Sequence, residues 1–162
     1  MSALSANRDS KRSVGDVASF LGASGVHIYA GGLVQINSAG YAAAASGTSA
    51  NRFVGVAWDE MNNTSTNKKL SAVSNGGLNC RVYLRGVFTV AANGTPAITD
   101  IGKKAFVIDD QTVGLSAGAW CYAGRIVDYT SSTYRLMIDS AFGVLGQDAG
   151  ISTGIVHDTL YA

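Results

Sequence analysis

The chain has 162 residues, with 12 Lys and Arg against 11 Asp and Glu and a formal net charge of +1. That length suits one domain, or one domain with tails. Charged residues make up 14% of it, against about 25% in an average soluble protein, so a broad basic face for nucleic acid is excluded. No window approaches the apolar run a membrane-spanning helix needs. The N-terminus lacks the apolar stretch of a secretory signal, which predicts synthesis in a cytoplasm. With 20 Gly and one Pro, and few Lys and Glu, the composition favours strands and turns over a solvated helical bundle.

Residues 1–25 differ from the rest. Residues 1–14 are Ser, Ala, Arg, Lys and Asp with almost no large apolar side chain, too little to offset ordering entropy alone. They read either as a disordered terminus or as an arm that orders on a partner, the latter with Phe20 and Leu21 as anchors before the flexible Gly22-Ala23-Ser24-Gly25. From Val26 the pattern becomes short apolar runs between Gly, Asn and Ser. Residues 26–29 and 33–36 read as strands joined through Gly31-Gly32, with a shorter extended piece at 41–45. Residues 53–58 form a strand whose mid-strand Gly55 marks a bulge or a close backbone approach. Residues 59–69 are polar and Asn/Thr-rich, which predicts a loop. The longest strand signal covers 80–90, with a bend at Gly86.

Asn93-Gly94 is a turn, and Pro96 lies outside the strand pattern. One helical turn is expected near 98–103. Residues 105–108 and 112–113 form a tight hairpin, in which Asp109-Asp110 makes the turn by capping its own backbone. Residues 122–127 and 134–138 are the last two strands, with a turn between them. Strands recurring at this spacing with glycine turns predict an all-β barrel or sandwich. After Asp139 the apolar residues Phe142, Val144, Leu145, Ile151, Ile155, Val156, Leu160 and Tyr161 are spread among glycines. Such a tail packs on its own barrel or on a neighbouring subunit. The expected organisation is therefore an arm at 1–25, a barrel at 26–139 and a tail at 140–162.

One enzyme-like string occurs. Gly114-Leu115-Ser116-Ala117-Gly118 matches the nucleophile elbow, and Asp128, Asp139, Asp148 and His157 follow it. An elbow needs a buried strand before the serine and a helix after it, and strand-like sequence follows here instead. Cys80 and Cys121 form no metal-binding spacing and read as reduced, buried thiols. His27, in a strand pattern, reads as a packed or surface side chain. Trp58, Tyr83, Phe88, Trp120 and Tyr122 are not interleaved with a basic stripe and read as core or interface. No catalytic residue, metal or cofactor is expected.

The order Gly32-Leu33-Val34, Phe53-Val54-Gly55-Val56-Ala57, Val82-Tyr83-Leu84-Arg85-Gly86-Val87-Phe88, Ile101-Gly102-Lys103-Lys104-Ala105-Phe106-Val107, Ala123-Gly124-Arg125-Ile126-Val127 and Leu136-Met137-Ile138 resembles the small capsid decoration, or cement, proteins of tailed bacteriophages. The resemblance covers about 26–139 and rests on a strand-and-glycine pattern. It implies a small β-barrel, or tulip, on the outer surface of the expanded head, where it bridges major capsid protein subunits. It also implies self-association, with a homotrimer favoured over a dimer, and an N-terminal arm that pairs with capsid strands. On that basis Arg8, Asp9, Lys11, Arg12, Phe20 and Leu21 are the expected capsid contacts. Ile151, Ile155, Leu160 and Tyr161 are the expected oligomer contacts. A phage tail or receptor-binding β module is the alternative; its usual fibrous repeats are missing.

Overall fold

The computed structural model describes residues 16–47, 51–67, 73–116 and 121–139. They form an all-β protein in which an open sheet packs one face on a closed barrel, around a first core, and the other face on a two-stranded ribbon, around a second. The first half of the chain supplies β1 (Val17–Leu21), β2 (Val26–Ile28), β3 (Leu33–Ile36), β4 (Ala42–Ala44), β5 (Arg52–Ala57), β6 (Met61–Asn63) and β7 (Asn79–Tyr83). The second half supplies β8 (Arg85–Ala92), a 3-10 turn (Ile98–Asp100), β9 (Lys104–Val107), β10 (Thr112–Gly114), β11 (Tyr122–Tyr129) and β12 (Thr133–Asp139).

An open sheet has the order β1-β7-β5-β3-β4, and a closed barrel the order β10-β8-β12-β11-β9. The hairpin expected at 105–113 is present as β9 and β10, with Val113 opposite Val107. The barrel closes where β10 runs parallel to β8, Thr112 beside Ala91. Closure leaves the barrel without an unpaired strand edge. β2 and β6 make a separate two-stranded ribbon.

Alternation along the open sheet decides what lies on each side. Leu33, Phe53 and Val56 face the barrel and pack with Val90, Val107, Val113, Ile126, Leu136 and Ile138. Val34, Ala57, Cys80 and Val82 point the other way, against Ile28 and Met61 of the ribbon. The sheet is thus buried on both faces, which is why Leu33, Val34 and even the polar Gln35 of β3 are all buried, with no alternation between a covered and an open side. Each fully buried aliphatic side chain contributes about 1.5–3 kcal/mol.

Several boundaries differ from the sequence expectation. The long signal at 80–90 is two strands: the chain leaves the open sheet at Leu84 and enters the barrel at Arg85. Gly86 follows the break with φ 140°, and a Cβ there would sit 3.0 Å from the Phe88 ring. The strands at 26–28 and 33–36 do not pair with each other; β2 pairs with β6 and β3 with β4 and β5. The polar stretch 59–69, expected to be a loop, holds β6. Asn63 is fully buried there, its amide donating to the Ala23 carbonyl at 2.8 Å and the Ser74 carbonyl at 2.9 Å. These partners are distant in sequence, so propensity alone disfavours a strand that tertiary bonding creates. Finally, residues 17–21 belong to the body rather than to a free arm, as β1 pairs along its whole length with β7.

Candidate interaction surface

β1 lies at the end of the open sheet, and no strand covers its outer edge among the described residues. Its register with β7 places Val17 opposite Tyr83, Phe20 opposite Cys80 and Leu21 opposite Asn79. Phe20 packs onto this chain's second core beside fully buried Cys80 and Val82. The pair expected to anchor a partner is therefore split. Phe20 fastens β1 to its own sheet, and Leu21, 53% exposed, faces outward. Arg8, Asp9, Lys11 and Arg12 lie outside the described residues, as do Ile151, Ile155, Leu160 and Tyr161.

The outward face beside β1 carries an aromatic assembly. The Trp58 main-chain N–H donates to the Arg81 carbonyl at 2.9 Å. The Trp58 ring stacks on Tyr83 at 4.8 Å and 16°, and Tyr83 leans on Phe88 at 5.6 Å. The Arg81 guanidinium sits 5.4 Å from the Trp58 ring centroid. It also donates to one oxygen of Asp59, from Nε at 2.9 Å and from Nη2 at 2.6 Å. The ion pair holds the cation over the ring, a favourable use of the ring's negative face. Trp58 nevertheless remains 45% exposed. Sequence reading grouped Trp58, Tyr83 and Phe88 as core or interface. The structure divides them: Tyr83 and Phe88 are half-buried, and Trp58 is open. Trp120 lies outside the described residues. Arg81 and Asp59 escaped notice because their pairing is across strands; the alternation of Arg81 and Tyr83 along β7 is the signal that marks them.

The remaining polar groups are tied into the fold. Asp100 is buried at one end of the barrel. Its carboxylate accepts from the Ala97 N–H at 2.9 Å, from Lys103 Nζ at 3.0 Å and from the Tyr134 hydroxyl at 2.9 Å. The backbone bond first, then the two side chains, hold this carboxyl below its ordinary range. Burial, and then the bond to Asp100, push the Tyr134 phenol up to about 12. This set fixes the 3-10 turn against β12. Asp109 accepts from the Gln111 and Thr112 N–H groups at 2.9 and 2.7 Å, the turn cap that was expected. His27 lies 2.6 Å from the Glu60 carboxylate and 4.1 Å from the Tyr29 ring, joining β2 to the segment before β6.

Both thiols are free and buried. Burial, then the Asp59 charge, push Cys80 up to about 11, and burial raises Cys121 as well. Neither is poised as a nucleophile. Ser116 follows β10, and the next element among the described residues is the strand β11 from Tyr122, where an elbow requires a helix. Asp128 faces Arg135 at 3.4 Å, and Asp148 and His157 lie outside the described residues. Among the described residues no group of three or more His, Cys, Asp or Glu could hold a metal ion, and no helix is long and apolar enough to cross a membrane. Comparison of the chain with family models, with curated proteins and with solved structures finds no match.

Proposed function

We propose that the chain is a structural decoration protein that binds the outside of an expanded phage head and bridges major capsid protein subunits. The observation that carries the reading is the arrangement at β1. A basic, apolar-poor segment, residues 1–15, leads directly into β1, an edge strand of the open sheet. A segment of that kind gains main-chain hydrogen bonds when it adds to a partner's sheet, and meets its ordering cost at that moment. Arg8, Asp9, Lys11 and Arg12 supply charge pairing along it, and Leu21 supplies an outward apolar contact. Ile151, Ile155, Leu160 and Tyr161 join copies of the chain, with a trimer favoured. Several weak contacts per assembly then act at high effective concentration. Binding confined to the expanded shell stabilises that state through differential affinity.

The test is co-sedimentation with mature, expanded heads. The full chain is compared with a form lacking residues 1–15 and with an Arg8→Ala, Lys11→Ala, Arg12→Ala variant. The deletion stops at residue 15 because cutting to residue 24 would also remove β1 from its own sheet. Saturation by the full chain alone, at a fixed ratio to capsid protein, supports the reading. If none of the three binds, a tail or receptor-binding module takes its place. If all three bind equally, the arm has been misassigned.

A further inference from the structure

β12 ends at Asp139, directly opposite Arg85. Arg85 follows Leu84, whose N–H donates to the Asp16 carbonyl at 2.9 Å, and Arg85 Nε reaches the Asp16 carboxylate at 3.6 Å. Tyr83, the next residue back, pairs with Val17. The chain beyond β12 therefore starts at the rim of the face formed by Val17, Tyr83 and Trp58. The arm before β1 starts at the same corner.

Reach and composition narrow what can cover that face. Phe142 lies three peptide units beyond Asp139, within about 10 Å of it, and Leu145 within roughly 20 Å. The path along the strand from Arg85 back to Arg81 is only about 13 Å. The barrel interior is not available, because Val90, Leu136 and Ile138 already fill it. The other exposed apolar pair nearby, Val87 with Met137, lies behind the direction in which β12 runs. Residues 140–147 carry no charged side chain, so they suit an apolar face better than solvent.

We propose that Phe142, Val144 and Leu145 of this chain cover Val17, Tyr83 and Trp58 of the same subunit. The proposal concerns contact within one subunit and stands apart from the capsid reading. It leaves Ile151, Ile155, Leu160 and Tyr161 to act further out.

Trp58 is a built-in reporter. In the full chain carrying Trp120→Phe it is the remaining tryptophan. Adding Phe142→Ser and Leu145→Ser should raise its acrylamide quenching constant roughly twofold and shift its emission to the red, since access scales with ring area open to solvent. A second measurement does not depend on those replacements. Ser19→Cys combined with Val144→Cys should form an intrachain disulfide under mild oxidation, with Cys80 and Cys121 buried and silent. Thr99→Cys with Val144→Cys is the comparison, because exposed Thr99 lies beyond the far end of β8. Equal quenching with and without the serine replacements overturns the proposal. So does cross-linking no faster than in the comparison pair. Cross-linking only into dimers also overturns it, by assigning the face to a second copy.

Discussion

Replacing Gly55 with Ala tests whether the open sheet is held by close approach of β5 and β7. Gly55 has φ 150°, where an L side chain is strained. A Cβ there would overlap the Tyr83 carbonyl oxygen and sit 2.9 Å from Val82 Cγ1. Val82 is fully buried against the ribbon, so it has nowhere to retreat. Relief requires β7 to move away from β5 by roughly 1 Å, against a strand spacing of about 4.8 Å. That weakens the pairing of Val56 with Tyr83 and Ala57 with Val82, and the 2.9 Å bond from Trp58 to Arg81. Two or three ladder bonds at about 1 kcal/mol each, plus about 1 kcal/mol of backbone strain, less about 0.5 kcal/mol gained from the stiffer unfolded chain, give a net loss near 3 kcal/mol. Urea unfolding should show this directly, with Tm lower by roughly 6–12 °C. Gly25→Ala is the control. Gly25 also has positive φ, 72°, but its Cβ meets nothing within 4 Å, so only the conformational cost of about 1 kcal/mol applies. If the two variants differ by less than about 0.5 kcal/mol, within the scatter of unremarkable surface changes, the close-approach argument is wrong.

Leu136→Ala empties the centre of the barrel, where Leu136 is fully buried; it should cost about 3–4 kcal/mol in urea unfolding, and a loss below about 1 kcal/mol would mean the barrel collapses around the gap. The depressed Asp100 carboxyl contributes stability above the ordinary carboxylate range and loses it as pH falls through the folded-state value. Asp100→Asn should therefore be less stable than the parent at pH 7, with the difference narrowing on acidification; a pH-independent difference refutes the linkage. The raised Tyr134 phenol works in the opposite sense, its contribution intact below its ordinary value and lost as pH rises toward about 12, so a Tyr134→Phe chain should show a shallower alkaline loss of stability. Buried Cys80 and Cys121 should give no reaction with an aromatic disulfide reagent at pH 8 in the native state and both react in denaturant; rapid native labelling of either would contradict their placement.

Elements whose stability is local were legible in the sequence. β3, β5, β9, β11 and β12 fall within a residue or two of the apolar runs that predict them, and the Asp109 cap was read from the turn chemistry alone. What was hidden depends on partners far away in the chain. β6 is built on Asn62 and Asn63, poor strand formers, because Asn63 bonds across to Ala23 and Ser74. β1 looked like part of an arm because Val17–Leu21 is isolated between polar and glycine-rich stretches; only pairing with β7 reveals it. The apolar run at 80–90 contains no signal for leaving one sheet and joining another, since both environments ask for buried β-branched residues. The aromatic face was half legible: its residues were singled out, but exposure of Trp58 depends on where the barrel stops covering the sheet.

The same topology bears on how a cement protein of this build would carry load. Tension on residues 1–15 enters the body at β1, and five consecutive register pairs join β1 to β7 in antiparallel alignment. Val17 pairs with Tyr83 and the load leaves through the next residue, Leu84, so force enters and leaves at the same end of the ladder and peels the pairs one at a time. From β7 the load passes through the covalent chain at Leu84 into β8, which pairs with β12 across seven residues inside a closed barrel. Phe20 supports the entry point by fastening β1 to the second core. On this reasoning, the place to weaken such a protein mechanically is the β1–β7 ladder and not the barrel. On the proposed decoration reading, Phe20→Ala should lower survival of decorated heads under osmotic shock well before it lowers the barrel's own unfolding midpoint; an equal loss of both would refute it.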